Sequence, residues 1–269
     1  NCPKASSMGR LFDGVAAIVG IKKKCSYEGQ AAVLLEAAAA GDEAFCYPVS
    51  FDDKDLVTDY LDKWNNKDIT IEINGKTLTG TSDVTVFVID EASVTIQDSS
   101  EASTGKIAAA NYAVYNEGIA VLNGGTLMGK VINYETMTMN GGSIFMTQEY
   151  QNVYNRGTLT INGGSVYSKL SYAIDNSVNL VINGGTFTSD SPDLSTIRTT
   201  SDTDYSGSVA ISGCTINGLY GIDVGAFDAT IATLTLGDVE LNCTEDLNLY
   251  VVRDGQIHVE LTQEPEKAY

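Results

Sequence analysis

Four copies of one turn constrain this chain more than any other feature. Asn-Gly-Gly occurs at Asn123-Gly124-Gly125, Asn140-Gly141-Gly142, Asn162-Gly163-Gly164 and Asn183-Gly184-Gly185, and a second Asn precedes each by seven residues: Asn116, Asn133, Asn155 and Asn176. Aligned on these turns, apolar residues fall into columns. Ala120, Met137, Leu159 and Leu180 lie three residues ahead of the turn Asn, and Leu122, Met139, Ile161 and Ile182 one residue ahead. Leu127, Ile144, Val166 and Phe187 follow it by four, and Val114, Val131, Val153 and Ile174 precede the earlier Asn by two. The first two columns alternate with period two, as a strand with one buried face requires.

Asn-Gly is also the strongest short hairpin signal. Local hairpins would explain each turn, but not the matching Asn seven residues earlier or columns held in step. A coil explains all of it. Repeats of roughly 17–29 residues stack their short strands about 4.8 Å apart, with apolar stacks inside and Asn stacks at the corners. Asn tolerates the left-handed conformation that corners need, so the turn Asn is expected to adopt it. Weaker copies flank the four. Ile71 and Ile73 precede Asn74-Gly75, with Leu78 in the third column, and Val94 and Ile96 precede Gln97-Asp98. Val209 and Ile211 precede Ser212-Gly213, and Leu234 and Leu236 precede Gly237-Asp238. The reading is an all-β, right-handed parallel β-helix of about eight coils over residues 67–260, roughly 38 Å long at that spacing. Asp246 to Leu261 reads as closing strands, residues 261–269 as a charged tail, and 51–66 as a linker or capping helix over the first coil.

Charge follows the same division. Residues 1–46 carry five basic and five acidic side chains, so the formal net charge of −19 belongs wholly to residues 47–269. A surface that acidic repels nucleic acid and anionic lipid. The longest apolar stretch, Ala31 to Ala40, is too short to span a bilayer. The five cysteines form no CxxC pair, and His258 is the single histidine, which leaves no evident zinc ligand set. The chain starts at Asn1 without Met and reads as a fragment or a processed product.

The first residues differ in kind. Asn1 to Asp13, Gly14 to Gly20, Ser26 to Ala32 and Leu35-Glu36 closely resemble the C-terminal carbamoyltransferase region of HypF-type hydrogenase maturation proteins, which are cytoplasmic. The resemblance covers roughly residues 1–50 and implies a piece of a nucleotide cleft. In it Asp13 would hydrogen-bond ribose hydroxyls, and Gly29-Gln30 would let the backbone approach the nucleotide. The family's metal-binding histidines lie upstream of this stretch and are missing here. From the residues alone, the segment reads as two short helices, with Leu11, Val15, Ile18 and Val19 on one face of the first. Together they are too small to bury a core of their own. The coil segment resembles instead surface proteins of gut bacteria grouped with pectate-lyase-like folds, which implies an extracellular or cell-surface setting. The two resemblances imply a chain composed of two unrelated pieces, joined between Pro48 and Lys67.

Chemistry on the coils is sparse in the sequence. A polysaccharide lyase or hydrolase would need clustered acids with a basic residue, yet Asp98 and Asp238 are several coils apart and Arg156, Arg198 and Arg253 look scattered. Asp202, Asp204 and Ser206 begin a calcium-loop pattern, but Gly213 stands where its bidentate Glu belongs. His258 reads as an outward strand residue, and Met137 and Met139 as core fillers. Tyrosines concentrate on the central coils, and Tyr115, Tyr134, Tyr154 and Tyr172 are candidates to stack on sugar faces. The expectation is a non-enzymatic, adhesin-like scaffold that binds carbohydrate or a host or cell-surface partner without a cofactor, apart from the weak calcium pattern. An enzyme of the pectate-lyase-like fold is the alternative, and an inactive carbamoyltransferase fragment fused to the coils a second one.

Overall fold

The chain divides into two units, Asn1–Val49 and Ser50–Tyr269. The structure, a computed structural model, describes residues 68–80, 83–149, 153–201, 207–228 and 230–262, all in the second unit. The helices expected in residues 1–50, the capping helix at 51–64 and the tail at 263–269 lie outside the described residues.

Among the described residues every regular element is a strand. β1 (Asp68–Glu72), β2 (Thr77–Thr79) and β3 (Val84–Val88) make the first coil, β4 (Ser93–Gln97) and β5 (Lys106–Asn116) the second, and β6 (Ile119–Leu122) and β7 (Thr126–Asn133) the third. The fourth is β8 (Thr136–Met139), β9 (Ser143–Met146) and β10 (Val153–Asn155); the fifth is β11 (Thr158–Ile161), β12 (Ser165–Ser168) and β13 (Ile174–Asn176). The sixth is β14 (Asn179–Ile182), β15 (Gly185–Ser189) and β16 (Ser195–Ser201). β17 (Ser208–Ile211) and β18 (Cys214–Phe227) form the seventh, β19 (Ile231–Leu236) and β20 (Val239–Val252) the eighth, and β21 (Gln256–Leu261) opens a ninth. The first strand of each coil joins a nine-stranded sheet in the order β1-β4-β6-β8-β11-β14-β17-β19-β21. The remaining strands form the other faces, and among the described residues every pairing between coils is parallel, such as β11 with β8 and β14. This is a parallel β-solenoid, wound in the right-handed sense that parallel crossovers impose.

The four central columns superpose as the sequence pattern requires. Leu159 pairs with Met137 and Leu180, and Ile161 with Met139 and Ile182. All sixteen column residues are buried. Burying each Ile, Leu or Met side chain contributes about 1.5–3 kcal/mol. The first coil departs from the expected register. Ile69 pairs with Val94 and Ile71 with Ile96, so the columns begin two residues earlier than Ile71 and Ile73. Leu78 nevertheless pairs with Ile107 in the third column. The extra residues are absorbed at the corner, where Asn74 is left-handed (φ 47°) and Gly75 N–H donates to Asp98 Oδ1 at 2.8 Å.

The corners hold two Asn ladders. In the buried one, Asn116 Nδ2 donates to Asn133 Oδ1 (2.6 Å), Asn133 to Asn155 (2.7 Å), Asn155 to Asn176 (2.6 Å), and Asn176 to Thr199 Oγ1 (2.7 Å). The same amides satisfy coil carbonyls, including Thr136, Thr158 and Asn179 O. The second ladder is exposed and donates the opposite way along the chain: Asn140 to Asn123 (2.9 Å), Asn162 to Asn140 (2.8 Å) and Asn183 to Asn162 (2.8 Å). The expectation that these turn Asn residues adopt the left-handed conformation is overturned. The second Gly adopts it instead, at Gly125, Gly142, Gly164 and Gly185 (φ 80° to 108°). A Cβ on Gly164 would stand 2.5 Å from Gly142 O, so this corner needs both the backbone freedom and the missing side chain.

Candidate binding face

The residue immediately before each buried-ladder position points away from the core, because strand side chains alternate. Register pairing lines these residues up across coils as Phe87, Tyr115, Ile132, Tyr154, Asp175, Arg198, Asp223 and Asn248. At the early end the row is aromatic. Ring centroids lie 5.3 Å apart for Phe87 and Tyr115, 5.5 Å for Tyr115 and Tyr134, and 6.3 Å for Tyr112 and Tyr115. Ile132 sits between Tyr115 and Tyr154 in register and is only 6% exposed, although it faces away from the core.

The middle of the row is cationic and aromatic. Lys130 Nζ lies 5.8 Å from the Tyr112 ring centre and 5.7 Å from that of Tyr154, and Arg156 lies 5.3 Å from the Tyr154 ring. Burial lowers the pKa of Lys130, against the pull of Asp175. Further along, Arg198 grips Asp175 with two bonds, Nε to Oδ1 at 2.9 Å and Nη2 to Oδ2 at 2.6 Å. Its guanidinium lies 4.2 Å from the Tyr172 ring centre, and Nη1 donates to Tyr172 Oη at 3.0 Å. Burial alone would lower the Arg198 pKa, but the bonds to Asp175 hold it above its ordinary value. Burial raises the hydroxyls of Tyr154, Tyr172 and Tyr250, so all three stay protonated at neutral pH. Tyr250 reaches this group because Gly225 lies under it; a Cβ there would stand 2.3 Å from the ring.

The four tyrosines expected to stack on sugars therefore share one face. Tyr115 and Tyr134 touch each other, Tyr154 is flanked by two cations, and Tyr172 carries Arg198 on its ring. The sequence reading missed Phe87, Lys130, Asp175 and Tyr250, and it took Arg156 and Arg198 as scattered. Counting one residue back from each ladder Asn would have found Asp175 beside Tyr115, Ile132 and Tyr154, whereas Phe87 and Arg198 stand before Val88 and Thr199 and carry no such signal. Phe145 and Tyr167 form a separate stacked pair 4.8 Å apart, and Tyr167 Oη donates to Asp190. His258 is exposed and pairs in register with Thr233. A groove of about 440 Å³ runs along the Asn-Gly-Gly corner, lined by Asp98, Asn123, Gly125, Gly142, Ser143 and Ser165 among others. Asp13, Gly29 and Gln30 lie outside the described residues, as do Asp202, Asp204 and Ser206. Among the described residues no three acidic, Cys or His side chains cluster to hold a metal.

Comparison with known proteins locates the chain. The family model for the carbamoyltransferase, Kae1-like domain, second subdomain, matches residues 1–142. The chain belongs to this family. The matched span of this carbamoyltransferase-family chain runs beyond the 50 residues that carry the sequence resemblance and takes in β1 to β8 of the solenoid. The carbamoyltransferase HypF of Synechocystis sp. is 57% identical over 35 residues, 13% of this chain and 5% of the relative. The carbamoyltransferase HypF2 of Cupriavidus necator is 54% identical over 39 residues, 14% of this chain and 5% of the relative. The chain thus spans about 5% of the length of these curated relatives. No solved structure matches it.

Proposed function

We propose that the solenoid is a non-enzymatic, adhesin-like scaffold at the cell surface whose outer face binds carbohydrate. The observation that carries this reading is the aromatic row Phe87, Tyr115 and Tyr134, whose rings succeed one another at 5.3 and 5.5 Å across neighbouring coils. Aromatic faces bury the apolar face of a sugar ring, while the tyrosine hydroxyls and the cations beside Tyr154 offer donors to its hydroxyls. Asp175 favours binding over catalysis, because both its oxygens are engaged by Arg198. The test is a glycan array with the full chain. Tyr115→Ala with Tyr134→Ala should weaken any glycan that binds by roughly tenfold, at about 0.5–1.5 kcal/mol per aromatic contact. Binding unchanged in the double variant, or no glycan bound by the parent chain, overturns the reading.

A second reading is favoured by the family match. Residues 1–50 would be a segment of a carbamoyltransferase nucleotide cleft, inactive without the rest of that fold and fused to the solenoid. Asp13 would then be a ribose ligand in the complete enzyme, with Gly29 and Gln30 beside the nucleotide. Calorimetry should find no ATP binding at micromolar concentration. Binding that Asp13→Ala abolishes would establish instead an active nucleotide site in this chain.

A further inference from the structure

We propose that Asn123 is a spontaneous modification site, and that the exposed amide ladder protects the other corner asparagines from the same reaction. All four turn asparagines are exposed and each is followed by Gly, the neighbour that least hinders the backbone nitrogen. The reaction is intramolecular. The Gly backbone nitrogen bonds to the Asn Cγ, the bond from Cγ to the side-chain nitrogen breaks, and that nitrogen leaves as ammonia with the proton from the Gly N–H. Water then opens the cyclic imide at either carbonyl and leaves aspartate or isoaspartate.

The ladder makes these four sites unequal. Asn140, Asn162 and Asn183 each donate their departing amide to the Asn of the preceding coil, at 2.9, 2.8 and 2.8 Å. Asn123 begins the ladder, and its amide donates to no group among the described residues. Its Oδ1 meanwhile accepts from Asn140 Nδ2, which polarises the carbonyl where negative charge develops during attack. Asn183 is the reverse case: its amide is held by Asn162 and its Oδ1 accepts from no group of a further coil among the described residues. Gly141 N–H, the nucleophile at Asn140, also donates weakly to Leu122 O at 3.4 Å, so the order is Asn123 first, Asn162 and Asn140 slower, and Asn183 slowest. Asn74, the other exposed corner Asn before Gly, has its nucleophile engaged, because Gly75 N–H donates to Asp98. The products also differ in cost. An aspartate at 123 still accepts from Asn140, whereas one at 162 turns a carboxylate oxygen toward Asn140 Oδ1 in place of a donor.

The full chain is incubated at pH 8.5 and 37 °C, and peptide mapping by mass spectrometry follows the mass shift at each Asn. A hydrogen bond that must be released slows the step by about threefold to tenfold, so Asn123 should lead Asn140 and Asn162 by that factor. Asn123→Ala removes the acceptor for Asn140, and Asn140 should then speed up by a similar factor while Asn162 does not change. Equal rates at the four sites, Asn183 reacting first, or an Asn140 rate indifferent to Asn123→Ala would each overturn the proposal.

Discussion

At the scale of single residues, two chemically identical asparagines do different work. Asn155 is buried and donates to Asn176 Oδ1, Gly157 O and Asn179 O while accepting from Asn133. Asn162 is exposed and makes one ladder bond in each direction. Asn155→Ala orphans buried carbonyls and a buried amide and should cost about 3 kcal/mol, whereas Asn162→Ala should cost roughly 1 kcal/mol. Urea titration separates them, and equal losses would show that burial does not distinguish the ladders. Gly164 provides a second residue-scale test. Alanine there meets Gly142 O at φ +93° and should cost about 2 kcal/mol or more. Gly163, whose added Cβ would lie 3.3 Å from Asn140 O, should tolerate alanine with a smaller drop in melting temperature.

At the scale of elements, a strand is stabilised by the strands above and below it. Ile161 in β11 lies between Met139 of β8 and Ile182 of β14. Ile161→Asp puts an unpaired carboxylate among apolar neighbours and should cost several kcal/mol. Because coils are held mainly by their neighbours, calorimetry should show the unfolding split into two transitions rather than shifted as one. On the outer face, Arg198→Ala strands Asp175, whose side chain is 7% exposed. The expected loss is about 2–4 kcal/mol by denaturant titration, part of it recovered by Asp175→Asn in the same chain. Much of this element plan was legible beforehand, because a coil repeats the same residue type at the same step. What escaped was whatever the step count does not carry. The first coil begins two residues early because a left-handed Asn74 takes up the difference. The Asp175–Arg198 pair spans 23 residues and reads as two unrelated charges until both are counted from the ladder. The glycines, not the asparagines, bear the corner strain, which a motif read as letters cannot apportion.

For the whole molecule, alkaline pH should be the weak side. Burial pushes the Cys214 thiol up to about 11 and raises Tyr154, Tyr172 and Tyr250. A group with a raised folded pKa contributes stability that is complete below its unfolded value and lost as pH climbs through the folded one. The melting temperature should therefore hold steady near neutrality and fall from about pH 9 onward. Cys214→Ala should flatten the part of that fall between pH 9 and 11, and an unchanged slope would assign it to the tyrosines alone. On the last complete coil, Leu247 and Leu249 pair with the buried Ile222 and Val224, yet among the described residues they are themselves exposed.

The two ladders bear on how such a rod lengthens. The third, fourth and fifth coils each offer their successor amide hydrogens on one ladder and amide oxygens on the other, so a copy of such a coil inherits a fitting partner on both sides. Intervals of 17, 22 and 21 residues between successive ladder asparagines show that the loops between these fixed points can drift in length without disturbing the fit. Tandem duplication of a single coil in the gene is thus a productive mutation from the first generation, and the length of the rod becomes a trait that selection can adjust one step at a time.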